Sequence, residues 1–412
     1  MTLMKYDVII IGGGASGMCT AILIKRKKPD FNVLIIEAQN RVGKKLLTTG
    51  NGRCNVTNRY IDASSYHGEN AKFCEFALKK YGYDFTEEFF ESIGIPLTEG
   101  DNGKMYPYSL QASSVVDALR LSVSEAGVET AFEEAVESIS KEGSSYKIFT
   151  SKKQYVSRNV IIAAGSVAGG KSLISCKNPY KLLTDLGHKS TAVSPSLVQL
   201  KTDLTKIKAL AGIKLNCEVT AIKNGKKLRC ETGELLFTKY GISGPTVLQI
   251  SRCFVNLNEA SVRINFMCDK NFVQVKELLI NRRKMFTGRN AEYFFTGVFP
   301  KMVGHTLLKI AGISLKNGIS SITDYQINTL AENIVGFELK VIGNNGFENA
   351  QVTAGGIKTD EFSSETLESL RHKGLYAIGE ILDIDGDCGG FNLQWAWSSA
   401  YAAAMAMTED MV

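Results

Sequence analysis

The sequence predicts an α/β fold built around a parallel sheet, with a second domain inserted into the chain. The first observation is the order of elements at the start: a β-branched run over Lys5–Ile11, a glycine-rich turn, an apolar helical pattern from Met18 to about Lys28, and a buried strand over Val33–Ile36. The second is the length of 412 residues, which exceeds one ordinary domain. The third is a change of pattern after Thr191, where short strand-like runs separated by turns replace the alternation of strands and helices.

The glycine turn has the spacing Gly-x-Gly-x-x-Gly. Gly12 permits the tight turn, Gly14 lets a pyrophosphate approach the backbone, and Gly17 allows the helix to pack closely on the strand. Ala15 and Ser16 complete the turn, so that helix N–H groups and the positive end of the helix dipole face the phosphates. The turn therefore predicts a Rossmann-like dinucleotide-binding domain.

Glu37 ends the second strand and is placed to bind the ribose hydroxyls of an adenosine, which fits NAD and FAD equally. The segment that follows, 41–58, is long, basic and glycine-rich, and loops of that length inside a compact domain are usually functional. Its cations and amides suit a pyrophosphate and an extended cofactor tail. The candidate cofactor-binding residues of this loop are Lys44, Lys45, Thr49, Gly50, Gly52, Arg53, Cys54 and Asn55.

Composition sets limits on the class of protein. No apolar run is long enough to span a bilayer, and the start of the chain lacks the cleavage site of a signal peptide, so we expect a cytoplasmic protein without a membrane partner. The nine cysteines show no Cys-x-x-Cys pair, which favours reduced thiols over a disulfide framework or a zinc site. The four histidines are scattered, so we predict no metal site.

Motifs along nearly the whole chain resemble those of a bacterial flavoprotein family that includes aminoacetone-oxidase-like proteins and a bile-acid-pathway reductase. The stretches 43–58, with Gly-Arg-Cys-Asn, and 389–394, Gly-Gly-Phe-Asn-Leu-Gln, are the most specific. The other similar blocks are Lys104–Pro107, Leu186–His188, Pro195–Val198, Gly241–Pro245, Val352–Gly356 and Gly379–Asp383. The resemblance implies FAD bound in a Rossmann-like domain of the glutathione-reductase type, but no particular substrate.

The resemblance also implies further cofactor-binding residues. Ala164 and Gly165 end an apolar strand where such flavoproteins bring small residues close to the cofactor, and Asp383 resembles the acid that holds the ribityl chain. Gly379 and Glu380 belong to the same block as Asp383. From the residues themselves, a glycine pair that opens a helix suits the anionic edge of a reduced flavin, because helix N–H groups stabilise negative charge. The candidates there are Gly389, Gly390, Phe391, Asn392 and Leu393.

An alternative is a P-loop, because Gly165–Ser172 matches Gly-x4-Gly-Lys-Ser after an apolar strand. Lys171 would then bind the phosphates and Ser172 would bind magnesium. Two features oppose an NTPase: no helical pattern opens at Lys171, and no later apolar strand ends in a metal-binding aspartate.

The inserted domain is predicted over 191–344, with a β part at about 191–268 and a helical part at about 270–335; the FAD-binding domain then comprises 1–190 and 345–412. The expected strands of the insertion are Leu197–Leu200, Lys214–Ile222, Lys227–Cys230 and Val262–Met267, with turns at Asn224-Gly225 and Thr232-Gly233. Its expected helices are Phe272–Lys284, Lys301–Ile310 and Asp324–Ile334. The C-terminal helix is expected from about Leu393 to Met407.

Charge is distributed unevenly between these segments. The insertion carries 21 Lys and Arg against 11 Asp and Glu, a balance of +10, so the rest of the chain carries −4 of the total of +6. A polyanionic partner such as a nucleic acid would therefore touch the insertion, where Arg282-Arg283-Lys284 is the densest cationic stretch. The competing and favoured interpretation is a solvated basic helix end.

The sequence therefore predicts an FAD-dependent oxidoreductase that passes a hydride through the flavin. NAD(P)H is the expected transient donor, and a small organic molecule is the expected acceptor, with reoxidation by oxygen as another outcome. A nucleic-acid-modifying flavoprotein that uses the basic insertion is the second interpretation, and a P-loop NTPase is the third. No catalytic acid or base is identified: a capping or packing role suits His188 as well as a functional one, and Cys54 lacks a second cysteine nearby for disulfide exchange. The sequence does not indicate the oligomeric state.

Overall fold

The computed structural model describes residues 5–170, 178–255 and 259–409. The chain divides into two compact units, of which the first combines residues 1–195 with 347–412 and the second comprises 196–346. The predicted α/β class is confirmed. Within the described ranges, no helix is long and apolar enough to cross a membrane.

The first segment contributes most of the first unit. Its strands are β1 (Lys5–Ile11), β2 (Val33–Ile36), β3 (Thr57–Asn58), β4 (Tyr66–His67), β5 (Leu97–Glu99), β6 (Lys104–Pro107), β7 (Glu129–Ala131), β8 (Val136–Glu142), β9 (Ser145–Thr150), β10 (Gln154–Ile162) and β11 (Ser194–Ser196). Its helices are α1 (Ala15–Lys27), α2 (Glu75–Lys80), α3 (Tyr83–Ser92), α4 (Ala112–Glu125) and α5 (Lys181–Thr184).

The second unit is a barrel with accompanying helices. Its strands are β12 (Leu200–Thr202), β13 (Lys214–Lys223), β14 (Lys226–Phe237), β15 (Gly241–Ser243), β16 (Ala260–Asn265) and β17 (Phe337–Asn344). Its helices are α6 (Pro245–Ile250), α7 (Phe272–Met285), α8 (Lys301–Ile310) and α9 (Asp324–Val335). The strands close in the order β12-β15-β14-β13-β16-β17.

The closing segment returns to the first unit with β18 (Val352–Ala354), β19 (Leu375–Ala377), β20 (Asp385–Gly386) and the long helix α10 (Phe391–Glu409). The main sheet has the order β7-β2-β1-β10-β9-β8, and β19 also pairs with β10. β7, β2, β1, β10 and β19 are parallel, while β8 and β9 form an antiparallel extension. The carboxyl ends of β1, β2 and β10 therefore meet at one edge, where ligands bind in open α/β sheets.

Burial explains the parallel core. Every residue of β2 is buried, and Val8 to Ile10 of β1 are fully inaccessible, as expected for strands covered on both faces. α1 and α10 pack against each other, and α10 uses small residues such as Ala400, Ala403 and Ala404 at its buried positions. Close helix packing needs such small side chains, so the alanine-rich sequence of α10 has a structural cause.

Three expectations for the insertion were wrong. Leu197 has a positive φ of 49°, which breaks the expected strand over Leu197–Leu200 and delays β12 to Leu200. Thr232-Gly233 is not a turn but lies inside β14, where a Cβ at Gly233 would come within 3.4 Å of the Thr246 methyl group of α6. β17 was missed, although Phe337, Leu339 and Val341 alternate with exposed residues, so the barrel is completed after the helices rather than before them.

Candidate functional site: a dinucleotide-binding cleft

The glycine turn between β1 and α1 meets three different structural needs. Gly12 has a φ of 107°, and a Cβ atom there would lie 2.3 Å from the Ala163 carbonyl oxygen. A Cβ at Gly17 would lie 2.0 Å from the Gly12 carbonyl oxygen, so this residue is required for packing. A Cβ at Gly14 would meet nothing within 4 Å. Gly14 therefore borders open space, which a pyrophosphate needs at this turn.

The Glu37 carboxylate is buried beside this turn, with 4% of the residue exposed. Its Oε2 accepts a hydrogen bond from the Gly13 N–H at 2.9 Å, and its Oε1 accepts one from the Gln39 N–H at 2.8 Å. Burial raises the pKa of Glu37, against the opposing effect of these N–H groups and of Lys44. A carboxylate oxygen can accept more than one hydrogen bond, so Glu37 keeps the capacity to bind hydroxyl groups.

A small cleft lies where β1 and β2 end, and the sequence motifs identified only part of its lining. Gly12 and Ala164 were predicted here, but Ala38, Glu134, Val136 and Leu182 were not; Ile11 and Ile36 complete the lining. Glu134 is itself buried, and its two oxygens accept hydrogen bonds from the Thr150 and Tyr155 hydroxyls. No motif marks these residues, since the order of strands in the sheet brings them together.

The basic loop joins the nucleotide turn to the C-terminal segment. Lys44 Nζ donates to Gln39 Oε1 at 2.9 Å, next to Glu37. Lys45 Nζ lies 2.6 Å from Glu380 Oε2 in an ion pair whose side chains are 31% and 20% exposed. Two short 3₁₀ turns within Leu46–Gly52 follow, separated by a kink at Thr49, Gly50 and Asn51, and Thr49 Oγ1 donates to the Leu46 carbonyl. The ion pair of Lys45 and Glu380 therefore brings the basic loop into direct contact with the C-terminal block, two stretches that the sequence predicted separately.

The end of this loop contains two side chains that can face a ligand and one that is inert. The Arg53 guanidinium lies 4.9 Å from the ring centroid of Tyr106. The Asn55 Oδ1 atom is buried without a hydrogen-bond partner among the described residues. Cys54 is fully buried, and burial raises the pKa of its thiol to about 11, so it is protonated at neutral pH. A protonated, inaccessible thiol does not suit disulfide exchange.

The turn at Gly379 is fixed between α1 and α10. Its N–H donates to Ser399 Oγ at 3.0 Å, and its carbonyl oxygen accepts from Trp395 Nε1 at 3.0 Å. A Cβ at Gly379 would lie 3.0 Å from Ser16 Oγ, so glycine is needed where this turn approaches the nucleotide motif. Trp397 is also structural, since its Nε1 donates to the Val56 carbonyl oxygen.

The start of α10 is held by side chains from several segments. Asn392 accepts from the Gly386 N–H at 2.8 Å and donates to the Gly386 carbonyl at 2.7 Å. A Cβ at Gly390 would lie 2.3 Å from the Thr57 carbonyl oxygen, and the Gly389 carbonyl accepts from Asn58 Nδ2 at 2.9 Å. The first hydrogen bond of the helix runs from the Gln394 N–H to the Gly390 carbonyl. The N–H groups that come before Gln394 therefore do not take part in the hydrogen bonds within the helix.

The remaining predicted site residues occupy the same unit. Ala15 and Ser16 lie in the first turn of α1, and Gly50 and Gly52 have positive φ within Leu46–Gly52. Ala164 and Gly165 follow β10 after Ala163. Phe391 and Leu393 belong to the first turn of α10. Asp383 is buried, and its Oδ2 accepts from the Glu69 N–H at 3.0 Å.

The alternative sites find less support. Lys171 and Ser172 of the P-loop match lie outside the described residues, but the preceding Gly169 N–H donates to the Phe347 carbonyl oxygen and is not available to a phosphate. His188 is buried in a network with Glu361 and Ser369, away from solvent. Among the described ranges, no group of three His, Cys, Asp or Glu side chains could hold a metal ion.

These observations fit a bound dinucleotide. The open space at Gly14, the buried carboxylate of Glu37 and the Asn55 Oδ1 atom, which has no partner among the described residues, lie in one unit and suit a phosphate, a hydroxyl group and a further polar contact. Lys45 adds a cation beside Glu380, which follows the Gly379 turn that approaches Ser16.

Comparisons with known proteins agree with this fold. A family model described as the HI0933-like protein Rossmann domain matches residues 6–406. A 3-dehydro-bile acid delta(4,6)-reductase of Clostridium scindens is 38% identical over 97% of this chain and 98% of its own length. A ribosomal RNA dihydrouridine synthase of Escherichia coli is 31% identical over 97% of each chain. The structure of an Escherichia coli quinol fumarate reductase is similar with a TM-score of 0.53 at 14% identity, over 99% of this chain and 71% of that one, which shows the fold alone.

The match over nearly the full length, together with two full-length relatives above 30% identity, identifies the family. The chain belongs to the HI0933-like family of flavoproteins, and its first unit is a Rossmann-like FAD-binding domain.

Proposed function

We propose that this protein is an FAD-dependent reductase that saturates a carbon–carbon double bond conjugated to a carbonyl group, with NAD(P)H as the donor. The observation that carries the proposal is the chemistry shared by the two relatives. A delta(4,6)-reductase of a 3-oxo steroid saturates double bonds in conjugation with a ketone, and a dihydrouridine synthase yields a uracil ring saturated beside its carbonyl. Both names describe reduction, which favours a reductase over an oxidase.

The overall reaction balances with one donor and one proton. NAD(P)H and a proton add two hydrogen atoms to the double bond, and NAD(P)⁺ leaves. When bound, FAD supplies the hydride relay between donor and acceptor, which are not required to meet. The sequence contains one Gly-x-Gly-x-x-Gly unit, so the nicotinamide is proposed to bind transiently and to leave before the acceptor enters.

The chain's own residues are assigned to binding and positioning. The N–H groups at the start of α1, beside the open space at Gly14, bind the pyrophosphate, and Glu37 binds the adenosine ribose. Lys45 supplies positive charge close to these groups while Glu380 fixes its position. Asn55 offers its unpartnered oxygen to a donor on the cofactor or the substrate.

Tyr106 is the proposed proton donor to the carbon next to the carbonyl. Its ring is held between glycines, since Cβ atoms at Gly50 and Gly100 would lie 3.7 and 3.0 Å from it, and Arg53 covers it. Burial raises the pKa of Tyr106, against the lowering effect of Arg53, so the phenol keeps its proton at neutral pH. A group that keeps its proton until a carbanion-like centre develops beside it can act as a general acid.

The second candidate substrate is a uracil base within RNA. The specific observation is the charge of the second unit, in which 21 Lys and Arg stand against 11 Asp and Glu. A small neutral acceptor does not need such a surface, whereas an RNA backbone does. The dihydrouridine synthase relative, aligned over 97% of its length, also favours an RNA substrate.

The deciding experiment follows the flavin spectrum. Purified protein should be yellow and should release FAD on denaturation; release of FMN alone, or a colourless protein that cannot be reconstituted, would contradict the cofactor assignment. Anaerobic NADPH or NADH should bleach the flavin, and cyclohex-2-en-1-one or a uridine-containing RNA should restore its colour with formation of the saturated product. Tyr106→Phe should leave bleaching unchanged and slow recolouring. Recolouring by oxygen alone, with neither acceptor reduced, would contradict the reductase.

A further inference from the structure

Two arginines of the second unit contact the same aromatic ring. Arg282, in the last turn of α7, has its Cζ atom 5.0 Å from the Phe286 ring centroid, and the Cζ atom of Arg289 lies 4.5 Å from the same centroid. We infer that this cluster of Arg282, Phe286 and Arg289 is a phosphate-binding site for the backbone of an RNA substrate. The inference rests on the second candidate substrate proposed above.

Arg282 is fixed in place by backbone groups rather than by a carboxylate. Its Nε donates to the Phe294 carbonyl at 2.9 Å, and its Nη2 donates to the Thr296 carbonyl at 3.0 Å. These bonds leave the Nη1 donors without a protein partner among the described residues. Burial lowers the pKa of Arg282, and the charge of Arg289 lowers it further, so the two cations repel each other. Binding of an anion would relieve that repulsion.

Arg289 is exposed and lies beyond the end of α7. No carboxylate in the described part of the chain lies within ion-pair distance of Arg282, Lys284 or Arg289, whereas the neighbouring Arg283 pairs with Asp324 at 2.6 Å. A guanidinium that stacks on a ring keeps its in-plane donors free, and that fork matches a phosphate. The exposed Lys284 adds a third cation.

Compensation of the helix dipole explains only part of this arrangement. Cations in the last turn of a helix stabilise its negative end, which accounts for Arg283 and Lys284 as a basic helix end. It does not account for Arg289, which follows the helix and places a second positive charge beside Arg282. The cluster therefore differs from the basic run expected from the sequence, because Arg283 is neutralised and Arg289 takes its place.

RNA is the polyanion that the surroundings favour. Tyr293, adjacent to the Phe294 carbonyl that anchors Arg282, is 48% exposed and offers an aromatic face. Cations next to an exposed aromatic side chain are the usual composition of a single-stranded RNA surface, because bases stack while phosphates pair with the cations. A lipid headgroup would instead call for apolar side chains that insert into a bilayer around the cations.

The test compares matched variants in the full-length, FAD-loaded protein. Binding of a fluorescein-labelled oligouridylate is followed by anisotropy at several salt concentrations, without turnover. Arg289→Gln should weaken binding and lower the slope of log affinity against log salt by about 1 for each phosphate that the variant no longer binds. Arg289→Lys should bind RNA more weakly than the wild type and more tightly than Arg289→Gln, because it keeps the charge and loses the stacked fork. Lys239→Gln, an equal loss of charge at an exposed turn between β14 and β15, should shift the slope less.

Several results would overturn the inference. Equal slopes for Arg289→Gln and Lys239→Gln, at unchanged FAD absorbance and melting temperature, would show that the cluster contacts no phosphate. Arg289-dependent binding to phosphatidylglycerol vesicles, with none to RNA, would assign the site to a membrane instead. The proposed reduction is judged separately, by whether the wild-type protein reduces cyclohex-2-en-1-one. RNA binding that depends on Arg289 but is accompanied by no double-bond reduction would sink the proposed reaction and leave this site standing.

Discussion

The ammonium group of Lys45 lies 2.6 Å from the Glu380 carboxylate, although 335 positions separate the two residues in the chain. The other carboxylate oxygen of Glu380 accepts from the Thr353 N–H at 3.2 Å. The pair therefore ties the basic loop after β2 to two parts of the closing segment. It also leaves Lys45 near the proposed phosphate site with its charge partly compensated.

We expect loss of Lys45 and loss of Glu380 to reduce the affinity for FAD to different extents. Lys45→Met takes away a cation and leaves Glu380 as an uncompensated carboxylate beside an anionic cofactor, so FAD affinity should fall strongly, by tenfold or more on the scale of one charge-assisted hydrogen bond. Glu380→Gln keeps an acceptor for Thr353 and frees Lys45, so its loss should be smaller. Titration of apoprotein with FAD measures both. Equal losses in the two single variants and in the double variant would indicate a purely structural pair.

Two glycines of the nucleotide turn have different roles: Gly14 borders the proposed ligand site, and Gly17 allows the helix to pack on the strand. Gly14→Val places a side chain in open space, so the apoprotein should keep its melting temperature while FAD binding is abolished. Gly17→Ala forces a Cβ to within 2.0 Å of the Gly12 carbonyl oxygen, so the apoprotein itself should be destabilised. Calorimetry of apoproteins and flavin absorbance of the purified variants distinguish the two. A Gly14→Val protein that is yellow would refute the placement of the pyrophosphate.

The sequence predicted best where one residue type has one physical reason. Gly17 is glycine because of a steric contact with Gly12 inside the β1–turn–α1 unit, Gly12 has the positive φ that the tight turn requires, and the bounds of β1 and β2 agree with the apolar runs. α8 also has the predicted bounds, Lys301–Ile310, because its apolar residues recur at helical spacing.

Long-range contacts were not predictable in the same way. Glu134 reaches the cleft because β7 pairs with β2 and the Glu134 N–H then donates to the Glu37 carbonyl, and Leu182 reaches it from α5, beyond β10; no local pattern encodes these contacts. The ion pair of Lys45 and Glu380 and the shared ring of Arg282 and Arg289 likewise depend on tertiary structure. The role of Gly233 was predicted wrongly for a related reason: it pairs with Cys217 inside β14 instead of forming a turn.

His188 makes stability depend on pH. Its Nδ1 lies 3.0 Å from Glu361 Oε2, and its Nε2 lies 3.0 Å from Ser369 Oγ, which also accepts from the N–H groups of Arg371 and His372. A neutral imidazole satisfies this network by donating from Nδ1 and accepting the Ser369 hydroxyl at Nε2. Burial lowers the pKa of His188, against the raising effect of Glu361.

The direction of the pH dependence of stability follows from the lowered pKa of His188. Above about pH 6.5 the imidazole is neutral in both states; as the pH falls further, the unfolded chain binds a proton that the folded one does not, so stability decreases until the pH passes the folded pKa. We expect the urea midpoint to fall over this window, and His188→Gln to flatten that dependence. Glu361, whose pKa is lowered by its hydrogen bonds despite burial, acts in a separate window below about pH 4.5. A wild-type midpoint as flat as that of the variant would contradict this assignment.

The start of α10 is proposed to stabilise the negative charge of the reduced flavin. Asn392 holds the turn at Gly386 with both ends of its amide, and the N–H groups of the first turn lie beside it. Gly390→Ala would be a poor probe, because its Cβ would lie 2.3 Å from the Thr57 carbonyl oxygen and would displace the helix. A better probe changes charge while it leaves the backbone in place.

Asn392→Asp and Asn392→Ser both remove the amide donors to the Gly386 carbonyl, but the aspartate alone adds a negative charge. That charge would oppose formation of the anionic reduced flavin and would lower the reduction potential. For a two-electron couple, about 30 mV corresponds to about 1.4 kcal/mol, so a charge effect of ordinary size should separate the two variants by some tens of millivolts. Anaerobic titration against reference dyes measures the difference. Equal potentials in the two FAD-loaded variants would show that this turn does not face the charged edge of the flavin, and the basic loop over Thr49–Asn55 would then be the next candidate.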